Sequence, residues 1–161
     1  MSRYLLFDLD GTLTESGEGI IRSVQYALEK MGKPETDVQK LRSFIGPPLI
    51  PQFMSFSGMT REEAGQAVQF YRERYSTTGV FENRPYPGIP EMLQTLTDRG
   101  YVLSVASSKP EHYVRQILEH FGLTPFFHEI VGATMDEKRT EKADVIEEAL
   151  KRLGRYSMLM E

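Results

Sequence analysis

Asp8 and Asp10, two residues apart near the start of this 161-residue sequence, are the first side chains whose types and spacing could do chemistry. They follow the apolar run Tyr4-Leu5-Leu6-Phe7 and precede Gly11-Thr12. An unbroken apolar run of this kind reads as a strand buried on both faces. The pair stands at its carboxyl end, where residues two apart leave on the same face and where open parallel sheets bind their ligands. Two adjacent carboxylates suit a divalent cation such as Mg²⁺, which takes oxygen ligands and needs few of them from protein. They also permit divided labour. One carboxylate can attack as a nucleophile while the other, protonated, supplies a proton to the leaving group. The competing reading is a solvated Asp-Gly hairpin turn, which calls for an alternating strand that Tyr4–Phe7 does not provide.

Other chemistries are poorly served. The sequence has no cysteine, which excludes disulfides, thiol nucleophiles and thiolate metal sites and fits a reducing cytoplasm. His112, His120 and His128 share no spacing suited to a metal and read as surface or satisfied residues. A net charge of −4 with both signs interspersed offers no basic face to nucleic acid. Hydrophobic residues at 40% and charged residues at 26% place the chain among globular proteins. The apolar runs fall far short of the roughly 18 residues that span a bilayer. Met1-Ser2-Arg3, followed by a short apolar run closed at Asp8, is not expected to act as a signal peptide. The expectation is a cytoplasmic protein without nucleic-acid or membrane partners, its oligomeric state left open.

The elements that must position the pair follow from periodicity. From Gly19, residues Ile20, Ile21, Val24, Ala27, Leu28 and Met31 recur at helical steps until Gly32 and Pro34. Short helices are expected over 38–44 and 49–56. Thr60-Arg61-Glu62-Glu63 reads as a capping box opening a helix with Ala64, Ala67, Val68, Tyr71 and Tyr75 on one face. Those tyrosines, and the methionines at 54, 59 and 92, read as core packing. Residues 16–87 thus form a helical segment, with 1–15 and 88–161 as a discontinuous α/β core. In that core a helix from Ile89 closes at Gly100, and Tyr101–Ala106 is a strand. Ser107-Ser108-Lys109 is a loop and Pro110 a first helical residue. The next helix stops at Gly122, and Glu129–Val131 is a short strand. A polar loop follows, then a last helix through Val145, Ala149 and Leu153 that Gly154 ends. Tyr156–Met160 is expected to begin another strand. Strand, inserted helices, then alternating helix and strand point to a Rossmann-like parallel sheet with crossover helices and an inserted helical subdomain.

Phe7-Asp8-Leu9-Asp10-Gly11-Thr12-Leu13 resembles the first motif of the haloacid dehalogenase (HAD) superfamily of phosphohydrolases. The resemblance implies that Asp8 is the nucleophile that forms an aspartyl-phosphate. Asp10 is then the general acid and base, its backbone carbonyl also touching Mg²⁺. Val105-Ala106-Ser107-Ser108-Lys109-Pro110 resembles the second motif, in which a serine, here Ser107 with Ser108 beside it, binds the transferring phosphoryl group. Glu141-Lys142-Ala143-Asp144 resembles the third, whose lysine neutralises phosphate and nucleophile charge. Lys138, in the same charged segment, is the substitute for Lys142. Residues 16–87 match the family's helical cap. Phe44-Ile45-Gly46-Pro47-Pro48-Leu49 and Tyr86-Pro87-Gly88-Ile89 resemble the phosphoglycolate phosphatase branch.

The physical demands of the reaction agree. Phosphoryl transfer spreads charge over the equatorial oxygens, so donors and cations at strand ends are what it needs. The family's fourth motif is an acidic loop after a fourth strand, and Ser157–Glu161 resembles that strand, so the core is expected to be incomplete at its C-terminus, short of its last metal ligand. The implied activity is a Mg²⁺-dependent phosphatase for a small phosphorylated metabolite, phosphoglycolate phosphatase-like. A 5′-nucleotidase is the alternative within the family, and an impaired phosphate-binding module the alternative outside catalysis.

Overall fold

The computed structural model describes residues 3–136 and 138–160. In chain order the elements are β1 (Arg3–Phe7), β2 (Thr14–Glu15), α1 (Gly17–Lys30), α2 (Val38–Leu41), α3 (Leu49–Ser57), α4 (Arg61–Tyr75), β3 (Arg84–Pro85), α5 (Ile89–Asp98), β4 (Tyr101–Pro110), α6 (Glu111–His120), β5 (Phe127–Ala133) and α7 (Lys142–Met160). They form two compact units, one of residues 1–14 and 85–161, the other of residues 15–84. β2 and β3 pair as a short ribbon where the chain passes between the units.

The first unit is α/β. Its three strands run parallel in the order β1-β4-β5, with helices connecting them, as the alternation of patterns predicts. β1 aligns Arg3 with Tyr101 through Phe7 with Val105. Ala106 and Val131 from the sheet pack with Val145 and Ala149 from α7 in one buried cluster, with Leu6 and Ile146 against it. Val114, Ile117 and Leu118 of α6 and Leu93 of α5 are also buried. Apolar residues at helical spacing have one place to go when a sheet lies beneath them, which is why these amphipathic segments fold as crossovers.

Three expectations for this unit are corrected. No residue of β1 is fully buried among the described residues, so it is not the strand buried on both faces that the apolar run predicts. Arg3 and Tyr4 are exposed, and Leu5, Leu6 and Phe7 are half-buried. Among the described residues only β4 pairs with β1. Second, Ser107–Lys109 is no loop between elements. β4 continues through it to Pro110, which precedes α6 with ψ 133° instead of opening the helix. Third, Gly154 does not end the last helix, and Tyr156–Met160 is helical, the end of α7. Val145, Ala149, Leu153, Tyr156 and Met160 keep a helical period through the glycine, and one glycine costs a helix only about 1 kcal/mol. Glu161 lies outside the described residues.

The second unit is helical apart from Glu15 and Arg84 in the ribbon. The expected helix over 38–44 is α2 followed by a 3-10 turn at Arg42–Phe44. The capping box forms: Thr60 Oγ1 accepts from Glu63 N–H at 3.2 Å, and Glu63 Oε2 from Thr60 N–H at 3.1 Å. Phe44 packs against Phe53 and Phe56 at ring separations of 4.9 and 5.2 Å, and Tyr71 stacks on Tyr75 at 5.1 Å. The chain passes so close at Gly19 and Gly79 that a Cβ on Gly19 would overlap the Gly79 carbonyl. Glu82 is clamped there, 2.7 Å from Arg74 and 3.2 Å from Arg22.

Candidate active site

The segment after β1 is organised by its own backbone. Leu9 and Leu13 are fully buried, and the Leu9 carbonyl accepts from the N–H groups of Thr12, Leu13 and Thr14 at 3.1, 2.9 and 3.2 Å. Gly11, at φ +78°, makes the turn, a conformation that glycine adopts without steric cost. Asp8 and Asp10 therefore lie in a loop anchored by two leucines, beyond the strand and outside its alternation. Leu9 N–H donates to Asp8 Oδ1 at 2.8 Å and fixes that carboxylate.

Each aspartate meets its own lysine. Lys142 Nζ lies 2.8 Å from Asp8 Oδ1 and donates to the Ala106 carbonyl at 2.7 Å. Both side chains stay accessible, Lys142 at 41% and Asp8 at 37%. Lys109 Nζ lies 3.3 Å from Asp10 Oδ2, and these side chains are almost enclosed, at 5% and 6%. The other Asp10 oxygen, Oδ1, is buried and has no hydrogen-bond partner. Ser107 is buried beside this pair, its Oγ accepting from Lys109 N–H at 3.2 Å, and Ser108 is half-buried.

β4 delivers Ser107 and Lys109 by an irregular ladder. Ala106 aligns with Val131 and Pro110 with Ala133, so four steps along β4 match two along β5. The surplus bulges out of the ladder, and bulges re-aim side chains. The bulge is wedged from behind at Gly132, where a Cβ would come within 2.6 Å of the Lys109 carbonyl and the Glu111 nitrogen. Glu111 then gathers the surroundings. It accepts from Gly132 N–H at 3.3 Å and pairs with Arg152 at 3.2 Å, Arg115 at 3.3 Å and Arg139 at 3.7 Å. Arg139 also donates to the Gly132 carbonyl at 3.0 Å, and its N–H and carbonyl both bond Thr134. The loop that carries Lys142 is thereby tied to the end of β5.

Of the residues singled out by sequence, Asp8 pairs with Lys142, while Asp10 pairs with Lys109, whose N–H donates to Ser107. Lys138 does not join them: its side chain is 85% exposed and reaches only Asp136, at 4.0 Å. The three histidines are exposed. Sequence reasoning assigned no role to Lys109 or Glu111. The available signal was a lysine two residues past the candidate serine, at the carboxyl end of an apolar strand.

The donors present fit Mg²⁺ as far as they go. Asp8 and Asp10 offer hard oxygens, and Mg²⁺ usually keeps several waters besides one or two carboxylates. Among the described residues there is no group of three or more His, Cys, Asp or Glu that could hold a metal ion. Among the same residues no helix is long and apolar enough to cross a membrane.

The chain is 48% identical over 146 residues to a 5′-nucleotidase of Pseudomonas aeruginosa, covering 91% of the chain and 66% of that protein. It is 32% identical over 148 residues to a phosphoglycolate phosphatase of Aquifex aeolicus, covering 89% and 67%. The chain spans about half to two thirds of the length of the curated relatives it matches. Among solved structures, a predicted phosphatase from Clostridium acetobutylicum superposes with a TM-score of 0.93 at 45% identity, over 96% of this chain and 71% of that one. With a family profile matching residues 5–158, this chain belongs to the haloacid dehalogenase-like hydrolases.

Proposed function

We propose that the protein hydrolyses a small phosphomonoester through an aspartyl-phosphate on Asp8. The observation that carries this reading is the accessible Asp8–Lys142 pair at 2.8 Å, a nucleophile held beside a cation that can also meet the incoming phosphate. Asp8 attacks phosphorus in line, and the bond to the leaving oxygen breaks as Asp10 gives that oxygen its proton. Asp10, now a carboxylate, takes a proton from water. The resulting hydroxide attacks the aspartyl-phosphate, releasing phosphate and restoring Asp8. Lys142 and Ser107 hold the phosphoryl oxygens where negative charge accumulates. Mg²⁺, when bound by Asp8 and the Asp10 carbonyl, would supply further charge neutralisation for a phosphate approaching two carboxylates. The helical unit of residues 15–84 serves as a cap that excludes water during turnover.

A nucleoside 5′-monophosphate leads as substrate, on the 48% identity to a 5′-nucleotidase. Phosphoglycolate follows, on the more distant likeness to a phosphoglycolate phosphatase. The protein should release inorganic phosphate from members of a phosphomonoester panel in the presence of Mg²⁺. Asp8→Asn should abolish that release for every ester. Turnover above background in this variant would rule Asp8 out as the nucleophile.

A further inference from the structure

The two lysines of the site are not equivalent. Lys142 and Asp8 form an accessible pair, open to an incoming anion, whereas the side chains of Lys109 and Asp10 are 5% and 6% exposed. Enclosing an ion pair costs desolvation that its attraction seldom repays, so such a pair is better suited to fixing a geometry than to adding stability. Only one Asp10 oxygen is engaged: Oδ2 is on Lys109 at 3.3 Å, while Oδ1 is buried with no hydrogen-bond partner. Lys109 is in turn held by the bulge of β4, its N–H on Ser107 Oγ and its carbonyl against Gly132.

From this we infer that Lys109 is a positioning residue for Asp10. It anchors Oδ2 and so aims Oδ1 at the leaving-group oxygen. The inference rests on the phosphatase reading, with Asp10 as the group that protonates the leaving oxygen. The atoms balance as above: the proton moves from Asp10 Oδ1 to the departing oxygen as the P–O bond breaks, and Lys109 neither gives nor takes one. A lysine that instead bound phosphate would matter equally for every ester. One that aims Asp10 matters most where the leaving group needs a proton.

The test is kcat/KM for a series of esters on the intact protein, because kcat/KM reports only steps through the first phosphoryl transfer. The series runs from dinitrophenyl phosphate, whose acidic phenol leaves unprotonated, to alkyl phosphates, whose alkoxides cannot. With Lys109→Met the alkyl esters should fall by about 10²-fold, the scale of a positioned general acid. Dinitrophenyl phosphate should fall far less, giving a steeper dependence on leaving-group acidity. In an Asp10→Asn background, where no carboxylate is left to position, the further change Lys109→Met removes the remaining charge and should not alter that dependence. An equal fall for all esters, or no fall for any, overturns the inference while leaving the phosphatase reading intact. An unsubstituted protein that turns over no ester overturns that reading, and this inference with it.

Discussion

Lys138 and Lys142 stand four residues apart in one charged segment, and only Lys142 meets an aspartate of the loop after β1. Composition could not separate them, since any lysine in such a segment is solvated by default. What separates them is that Lys142 begins α7, whose Val145 and Ala149 are buried against Ala106 and Val131. That packing brings the first residue of the helix to the carboxyl ends of β1 and β4. Lys142→Met should therefore lower kcat/KM for phosphomonoesters by about 10²–10³-fold, the loss typical of one charge-stabilising donor. Its melting temperature should stay close to that of the unsubstituted protein, because the side chain is 41% exposed. Lys138→Met should leave turnover within about twofold, as surface substitutions remote from a site usually do. Steady-state assays and thermal melts on both variants check this. A larger effect at Lys138 would reverse the assignment. Asp8 and Asp10 stand after a strand, as their place in the sequence predicts, whereas Ser107 lies within β4 and not after it. Lys109 was not legible in the sequence, because its partner is set by a bulge that no local pattern announces.

At the scale of elements, the decisive feature is the junction of β4, α6 and β5. Gly132 has no Cβ, and that absence lets the Lys109 carbonyl and the Glu111 backbone lie against β5. Gly132→Ala would push the bulge and the start of α6 away from the sheet. Overpacking of this kind costs roughly 1–3 kcal/mol, and here the obstacle is backbone, which cannot rotate aside. The variant should melt lower and also lose phosphatase activity, because Ser107 and Lys109 ride on the displaced segment. A lower melting temperature with full activity would mean that the bulge does not set the site. The helices and strands were largely readable from apolar periodicity, and the capping box at Thr60 was readable to the residue. The end of α7 was not. Gly154 is a stop signal in sequence, but one glycine costs a long helix only about 1 kcal/mol.

At the scale of the whole molecule, each of the two units carries a carboxylate clamped by arginines, Glu111 in the α/β unit and Glu82 in the helical one. Glu82 accepts from Arg74, and that hydrogen bond, reinforced by the charges of Arg74 and Arg22, holds its carboxyl below the ordinary Glu value of 4.5 although burial opposes it. A carboxylate with a depressed pKa contributes stability above its unfolded value and loses it as pH falls through the folded one. The helical unit should therefore lose stability on acidification below about pH 4.5. Glu82→Gln should melt lower at neutral pH, by roughly 1–2 kcal/mol for a charge-assisted bond lost. The gap to the unsubstituted protein should close in acid. Circular dichroism melts at neutral and acid pH would read this, and a gap that persists in acid would remove Glu82 as its source. The order of patterns along the chain determined that a parallel sheet carries an inserted helical segment, because periods of 2 and 3.6 are written locally. The motif residues determined which chemistry could occupy the strand ends. The tertiary structure alone decided that Lys109 faces Asp10 and how deeply each pair is buried. Those depend on strand order and on a four-against-two register slip, quantities fixed by packing between segments distant in sequence.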